Sequence, residues 1–266
     1  MKRKWIFNLL IVICAGVFIF AAYQLGKALW AYHENSKLQN ELQNIFHTNE
    51  SQPSAKPDES GEESADGEES RTDDTTVSNG LKTLYAMNPD LVGWLQIPCA
   101  EVDHPVMQAE DNDFYLHRDF YKNYRYAGTL FVDYRSKVQA EGQNTIIYGH
   151  HMIDGSMLGR VDRLLKYDTY QKNKTFTLRT MDGTYECQIF AAFSCTTAFP
   201  YIQTSFYSDQ QFEEYVAMCR AESVYDTEVT VSPGDRILTI STCNGRYDDG
   251  SGRTVIQAKM VRVADK

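Results

Sequence analysis

The alternation of apolar and polar positions divides the chain into four stretches. Residues 5–23 run for nineteen positions without a charged side chain. A helix of that length, at about 1.5 Å per residue, is about 28 Å long and matches the roughly 30 Å hydrocarbon core of a bilayer. Residues 24–50 carry Leu38, Leu42 and Ile45 at helical spacing among polar side chains, which predicts a juxtamembrane helical segment. Residues 51–80 lose the apolar pattern altogether. From Leu81 onward it returns, with Leu81, Leu84 and Tyr85 starting a short helix and Asn88-Pro89-Asp90 reading as the cap and first turn of another. Strand patterns follow at 127–134, 145–148, 175–179, 185–193, 235–242 and 254–263. Two helical interruptions are predicted, Met157 to Leu165 and Ser208 to Ala221. In the second, Ser208 and Gln211 form a capping box, and Phe212, Tyr215, Val216 and Cys219 share one face. Many strands and few helices predict a mostly-β domain with appended helices, a closed or nearly closed barrel.

Charge sharpens this division. Residues 51–80 hold nine acidic side chains against Lys56 and Arg71, a net of −7 out of −10 for the whole chain. Such a stretch cannot bury enough apolar surface to offset its ordering entropy, so it is predicted to be a disordered acidic linker. The remainder is close to neutral, and no basic, aromatic-interleaved surface points to nucleic acid. Lys2, Arg3 and Lys4 precede the apolar stretch, which places residues 1–4 in the cytoplasm and everything after the span outside. No small-x-small site follows the apolar run, and Ile13 before Cys14 argues against a lipoprotein site, so the stretch reads as a retained anchor. The organisation expected is thus a cytoplasmic tip (1–4), a transmembrane helix (5–23), a juxtamembrane helix (24–50), a linker (51–80) and a folded domain (81–266).

The six cysteines do not form a disulfide or metal framework. Cys187 and Cys195 stand eight residues apart on one extended run, beyond bridging distance, and there is no C-x-x-C. Cys14 lies in the membrane span, Cys99 in a turn, and Cys219 on the apolar face of a helix. Cys243 is different. Ile237, Thr239 and Ser241 alternate with Leu238, Ile240 and Thr242, so the strand delivers Cys243 to its tip, and a glycine-bearing loop separates it from Arg253 at the start of the next strand. A thiol reacts as thiolate, which nearby positive charge favours. His150-His151 closes another strand pattern just after Gly149, and histidine is the usual base for a thiol nucleophile. His104 and His117 offer no partner that the sequence identifies.

Thr239-Ile-Ser-Thr-Cys243 with Arg253 beyond it, and Tyr148-Gly-His-His-Met upstream, resemble the sortase family of cysteine transpeptidases, class B. Asn88 to Pro98, Asp111 to Leu116, Ala127 to Arg135 and Thr197 to Ile202 are similar to class B segments, so the resemblance covers about residues 81–263. It implies an eight-stranded barrel with N-terminal helices and one helix inserted between late strands. It also implies that the enzyme sits in a Gram-positive membrane, cleaves a C-terminal sorting signal of a secreted protein after threonine, and joins it to an amine of a cell-wall precursor. By motif position Cys243 is the nucleophile, His150 the acid/base and Arg253 the oxyanion or substrate clamp, while Asn112, Leu116, Thr197, Tyr201, Ile202 and Ser241 line the peptide groove. The resemblance implies no metal and no cofactor.

Two other functions fit parts of the pattern, a membrane-tethered barrel that only binds peptides and a sortase that polymerises pilins. Papain-like proteases place Cys before His, the reverse of this order, and the Ser-His-Gly-Cys signature of L,D-transpeptidases is absent.

Overall fold

The apolar N-terminal stretch and the polar helix after it are continuous. In the computed structural model, which describes residues 2–50, 77–138, 142–245 and 249–263, α1 runs from Lys2 to Glu50. Its N-terminal part is long and apolar enough to cross a membrane. The chain divides into two compact units, residues 1–41 and 42–266, so the last turns of α1 belong with the folded domain. Leu42 and Phe46 are fully buried there. The Phe46 ring stacks on Trp94 at 4.1 Å between centroids, Gln43 Nε2 donates to the Asp103 carbonyl at 2.9 Å, and His47 Nε2 lies 2.7 Å from the Asp103 carboxylate.

The second helix, α2 (Asn79–Met87), meets the end of the first. The Ser78 hydroxyl and the Gly80 N–H both donate to the Glu50 carboxylate. A Cβ at Gly80 would lie 2.5 Å from the Phe46 carbonyl oxygen, so this crossing admits only glycine. The acidic stretch therefore leaves and re-enters the domain at one place. Residues 51–76 of it lie outside the described residues. Helix formation begins at Asn79, two residues before the expected domain start.

Eight strands close a barrel: β1 (Leu91–Ile97), β2 (Val102–Met107), β3 (Leu130–Val132), β4 (Asn144–Tyr148), β5 (Thr175–Thr180), β6 (Gly183–Thr196), β7 (Arg236–Cys243) and β8 (Gly252–Arg262). Their order around the barrel is β1-β2-β3-β4-β7-β8-β6-β5, and β1 pairs with β5 to complete it. Closure leaves no free sheet edge. Between β5 and the preceding strand lies α3 (Tyr167–Lys172), and α4 (Asp209–Glu222) fills the connection from β6 to β7.

α4 follows its sequence pattern closely. Ser208 Oγ accepts from the Gln211 N–H, and Gln211 Oε1 reaches back to the Tyr207 N–H at 2.8 Å. Phe212, Tyr215, Val216 and Cys219 pack with Phe193, Ile237 and Val255 of the barrel.

Elsewhere local signals mislead. Asn88 starts no helix; it is the C-cap of α2, its N–H bonded to the Leu84 carbonyl at 2.9 Å, and β1 begins three residues later. β1 and β2 escape the period-2 pattern because Trp94, Leu95, Pro105 and Val106 are buried on both faces of the sheet and because Pro105 demotes a strand reading. The stretch from Met157 to Leu165 is a turn with Met157 at φ +55° followed by a 3-10 turn from Val161 to Leu165. β3 is three residues long, since Gly128 (φ +60°) and the Asp133 carboxylate turn the chain at either end.

Candidate active site

β7 and β8 are antiparallel, with Cys243 directly opposite Arg253. Asn244 N–H donates to the Gly252 carbonyl at 3.0 Å, so the 244/252 rung is hydrogen-bonded and the 243/253 rung is the closer, non-bonded kind, with Cα atoms about 4.5 Å apart and side chains on one face. Cys243 is exposed. The Arg253 guanidinium is turned over the loop, its Nη1 donating to the carbonyls of Gly250 and Gly252 at 2.9 and 2.8 Å. Among the described residues its Nη2 and Nε make no hydrogen bond, which leaves one planar donor edge of the guanidinium unengaged.

β4 brings the histidine alongside. It runs parallel to β7 with Tyr148 beside Ser241, and one residue later Thr242 Oγ1 donates to the Gly149 carbonyl at 2.8 Å. The next residues on the two chains are His150 and Cys243. Gly149 is closely enclosed at this junction: a Cβ there would lie 2.3 Å from Leu130 Cδ2 and 3.0 Å from Leu158 Cδ1, so both leucine side chains would have to shift. His150 Nε2 lies 2.9 Å from the Leu116 carbonyl oxygen. A carbonyl only accepts, so Nε2 carries the proton and Nδ1 is the atom left to gain and lose one. Burial lowers the His150 pKa, the Leu116 carbonyl partly restores it, and the His117 charge lowers it again, for a net downward shift. His151 has its Nδ1 buried without a hydrogen-bond partner and its backbone bridged to Met157.

The expected groove residues differ in their surroundings. Tyr201 is buried, its hydroxyl 2.8 Å from Ser241 Oγ, two residues before Cys243 on the same face of β7. The Tyr201 carbonyl accepts from the Tyr215 hydroxyl of α4 at 2.6 Å; Gln257 Nε2 donates to that hydroxyl from β8 at 2.7 Å. This buried network fixes the loop from which Ile202, 40% exposed, projects into solvent. Thr197 is exposed, and its N–H donates to the Ser251 carbonyl at 3.0 Å, two residues from Arg253. Leu116 supplies the carbonyl that holds His150. Asn112 is engaged on both ends of its amide, donating to Asp133 Oδ2 at 3.2 Å and accepting from the Tyr134 N–H at 3.0 Å. Asp133 in turn accepts from the Tyr148 hydroxyl at 3.0 Å. Asn112 thus braces the strand that carries His150.

Sequence reasoning missed three contributors. His117 lies against His150, and Tyr126 lies against both; a 3-10 turn and an irregular loop position them, and no spacing rule reads such placements. Gln257 sits in an apolar run that reads as plain β8 core.

The family model of the Sortase domain matches residues 95–261, from β1 through β8, with the Cys243, His150 and Arg253 geometry inside the matched region. The chain belongs to the sortase family, class B. It is a cysteine transpeptidase of the cell-wall sortase type. Sortase B of Listeria monocytogenes is 35% identical over 252 residues, covering 95% of each chain, and Sortase B of Staphylococcus aureus is 34% identical over 184 residues, 69% of this chain and 75% of the relative. Among solved structures, the Staphylococcus aureus sortase B–substrate complex superposes with a TM-score of 0.74 at 29% identity, covering 87% of this chain and 98% of the other. Sortase B from B. anthracis in complex with AAEK1 superposes with a TM-score of 0.73 at 31% identity, covering 88% of this chain and all of the other. The sortase barrel is therefore common to this chain and to these solved structures.

Proposed function

We propose that this enzyme cleaves a C-terminal sorting signal after threonine and transfers the new carboxyl end to an amine of the cell-wall precursor. It works from a membrane anchor at residues 5–23 with the barrel on the outer side. The observation that carries this reading is the single rung formed by Cys243 and Arg253 with His150 arriving on the neighbouring strand.

In the first half-reaction the Cys243 thiolate attacks the threonine carbonyl and forms the C–S bond. The Arg253 donor edge takes up the charge that develops on the oxygen. As the C–N bond breaks, His150 delivers the proton on Nδ1 to the leaving amine nitrogen, which completes a thioester and leaves the imidazole neutral. In the second, an acceptor amine attacks the thioester carbonyl and loses its proton to the same Nδ1. The C–S bond breaks and the thiolate returns. Asn112, Leu116, Thr197, Tyr201, Ile202 and Ser241 surround the path of the peptide. That the Staphylococcus aureus relative has been solved as a sortase B–substrate complex supports reading this fold as one that binds a substrate.

The test is a ligation assay with the full-length chain in detergent micelles, a sorting-signal peptide and an oligoglycine or diamino-acid acceptor. An amide-linked product that requires both the acceptor and Cys243 is expected. Hydrolysis that ignores the acceptor, or no turnover with any peptide, would contradict the proposal.

A further inference from the structure

The catalytic histidine is held by one short turn through two different contacts. Residues 115–117 form a 3-10 turn whose middle carbonyl, that of Leu116, accepts from His150 Nε2, and whose next side chain, His117, stacks on the His150 ring at 5.3 Å with the planes 26° apart. Tyr126 lies against the same ring at 5.7 Å and 12°, and the Tyr126 carbonyl oxygen is 3.3 Å from His117 Nδ1. The edge contact fixes which nitrogen carries the proton. The face contacts fix the plane in which the other nitrogen points.

The turn itself is anchored in the barrel. Tyr115 is buried, its hydroxyl donating to Asp90 Oδ2 at 2.6 Å and accepting from Asn88 Nδ2 at 3.1 Å. Its carbonyl accepts from the Thr129 N–H at 3.1 Å. Gly128 approaches so closely that a Cβ would lie 2.4 Å from the Leu116 oxygen and 2.6 Å from the Tyr115 oxygen. A turn pinned at this many points can transmit position to His150.

We propose that His117 is a positioning residue for His150, setting the plane of the catalytic imidazole and the pH at which it exchanges its proton. The inference rests on His150 being the acid/base. The groups that contact this pair are the Leu116 carbonyl from the turn and Tyr124 and Tyr126 from the following loop; Cys243 and Arg253 are the chemically active side chains of the neighbouring strands β7 and β8. Arg118 and Arg125 of that loop are committed elsewhere, to the Phe114 ring and to Asp119, and Tyr148 of β4 to Asp133. Two imidazoles in ring contact oppose simultaneous protonation, so the partner's charge works in the same direction as burial on His150.

The test uses the full-length chain with His117→Ala, which removes the stacking ring and the charge, and His117→Phe, which keeps the ring face without the charge. Turnover of a sorting-signal peptide by His117→Ala is expected to fall about ten- to a hundredfold in kcat with KM little changed, the loss typical of a misplaced catalytic group. His117→Phe is expected to recover most of that loss and to move the His150 limb of the kcat/KM profile to higher pH. The His150 ring resonances, followed by NMR titration, should shift upward in pKa in His117→Phe. That readout holds whether or not His150 is the acid/base, so it separates failure of this inference from failure of the catalytic assignment. If melting shows that His117→Ala is unfolded, the phenylalanine variant decides alone. An unmoved His150 titration in His117→Phe would overturn the proposal, as would unimpaired kcat in a folded His117→Ala.

Discussion

Cys243 and Arg253 occupy one non-hydrogen-bonded rung of the β7–β8 ladder, so the backbone itself sets their separation. The loop between them, of which residues 246–248 lie outside the described residues, does not have to set that separation, although its Gly250 carbonyl accepts from the Arg253 guanidinium. This explains how a thiol and a guanidinium on either side of a glycine-bearing loop form one site. The rung continues to Cys195 of β6, whose thiol burial pushes up to about 11, which keeps that second cysteine protonated at neutral pH.

Arg253→Lys and Arg253→Ala are both expected to lower peptide turnover about a hundred- to a thousandfold, because in the proposed mechanism a planar donor edge and not charge alone receives the oxyanion. Alkylation of Cys243 by iodoacetamide needs no such donor and should keep its rate. A parallel fall in alkylation would move Arg253 to the role of maintaining the thiolate, and normal turnover of Arg253→Ala would make it structural.

The adjacent histidines separate by their surroundings. His150→Ala is expected to abolish turnover, whereas His151→Ala, whose residue bridges to Met157 and points its Nδ1 into a site without a partner, should only weaken it. Peptide-cleavage assays on both variants check the ranking, and the reverse order contradicts the assignment.

Acid should loosen the wall of the barrel next to His150. Burial pushes the Asp133 carboxyl up, but the Arg135 guanidinium and N–H and the Tyr148 hydroxyl outweigh it and leave the pKa below the ordinary value. With the folded value depressed, the stabilisation is fully present above the ordinary carboxylate range and is lost as pH falls through the folded value. Thermal melts from pH 7 to pH 3 should therefore show a steeper loss of Tm in the unsubstituted protein than in Asp133→Asn, which starts lower at pH 7. Parallel curves would remove Asp133 from the account.

Residues 42–50 are part of the folded unit, so a chain beginning at Leu81 loses the Phe46–Trp94 stack and leaves Asp103 without Gln43 and His47. Phe46→Ala is expected to cost about 3–5 kcal/mol, the usual range for a buried phenylalanine. We propose instead that the acidic stretch is the dispensable part, since Glu50 and Ser78 already meet. Joining Glu50 to Ser78 through a few glycines should keep stability and peptide cleavage in denaturant melts and turnover assays. A folded but inactive product would contradict this.

Much of the site was legible because strand ends are simple to read. Alternation along 237–242 places Cys243 at a tip, and the loop length places Arg253 at the start of the next strand. The pairing of β4 with β7 is parallel and separated by almost ninety residues, so no local pattern brings His150 to Cys243; only the resemblance did. The helix at 209–222 was readable from its cap and its buried face. β1 and β2 were not, because a strand buried on both sides has no alternation to read. The docking of Phe46 was also hidden, since a single aromatic at the end of a polar helix does not announce the tryptophan it will stack on.

The most direct measurement is the intact mass of the full-length protein after brief mixing with a sorting-signal peptide in the absence of an acceptor amine. The account predicts an increase equal to the peptide up to its threonine, located on Cys243 by peptide mapping and discharged when an amine is added. An unmodified protein across several peptides, or an adduct on Cys99 or another thiol in place of Cys243, would contradict it.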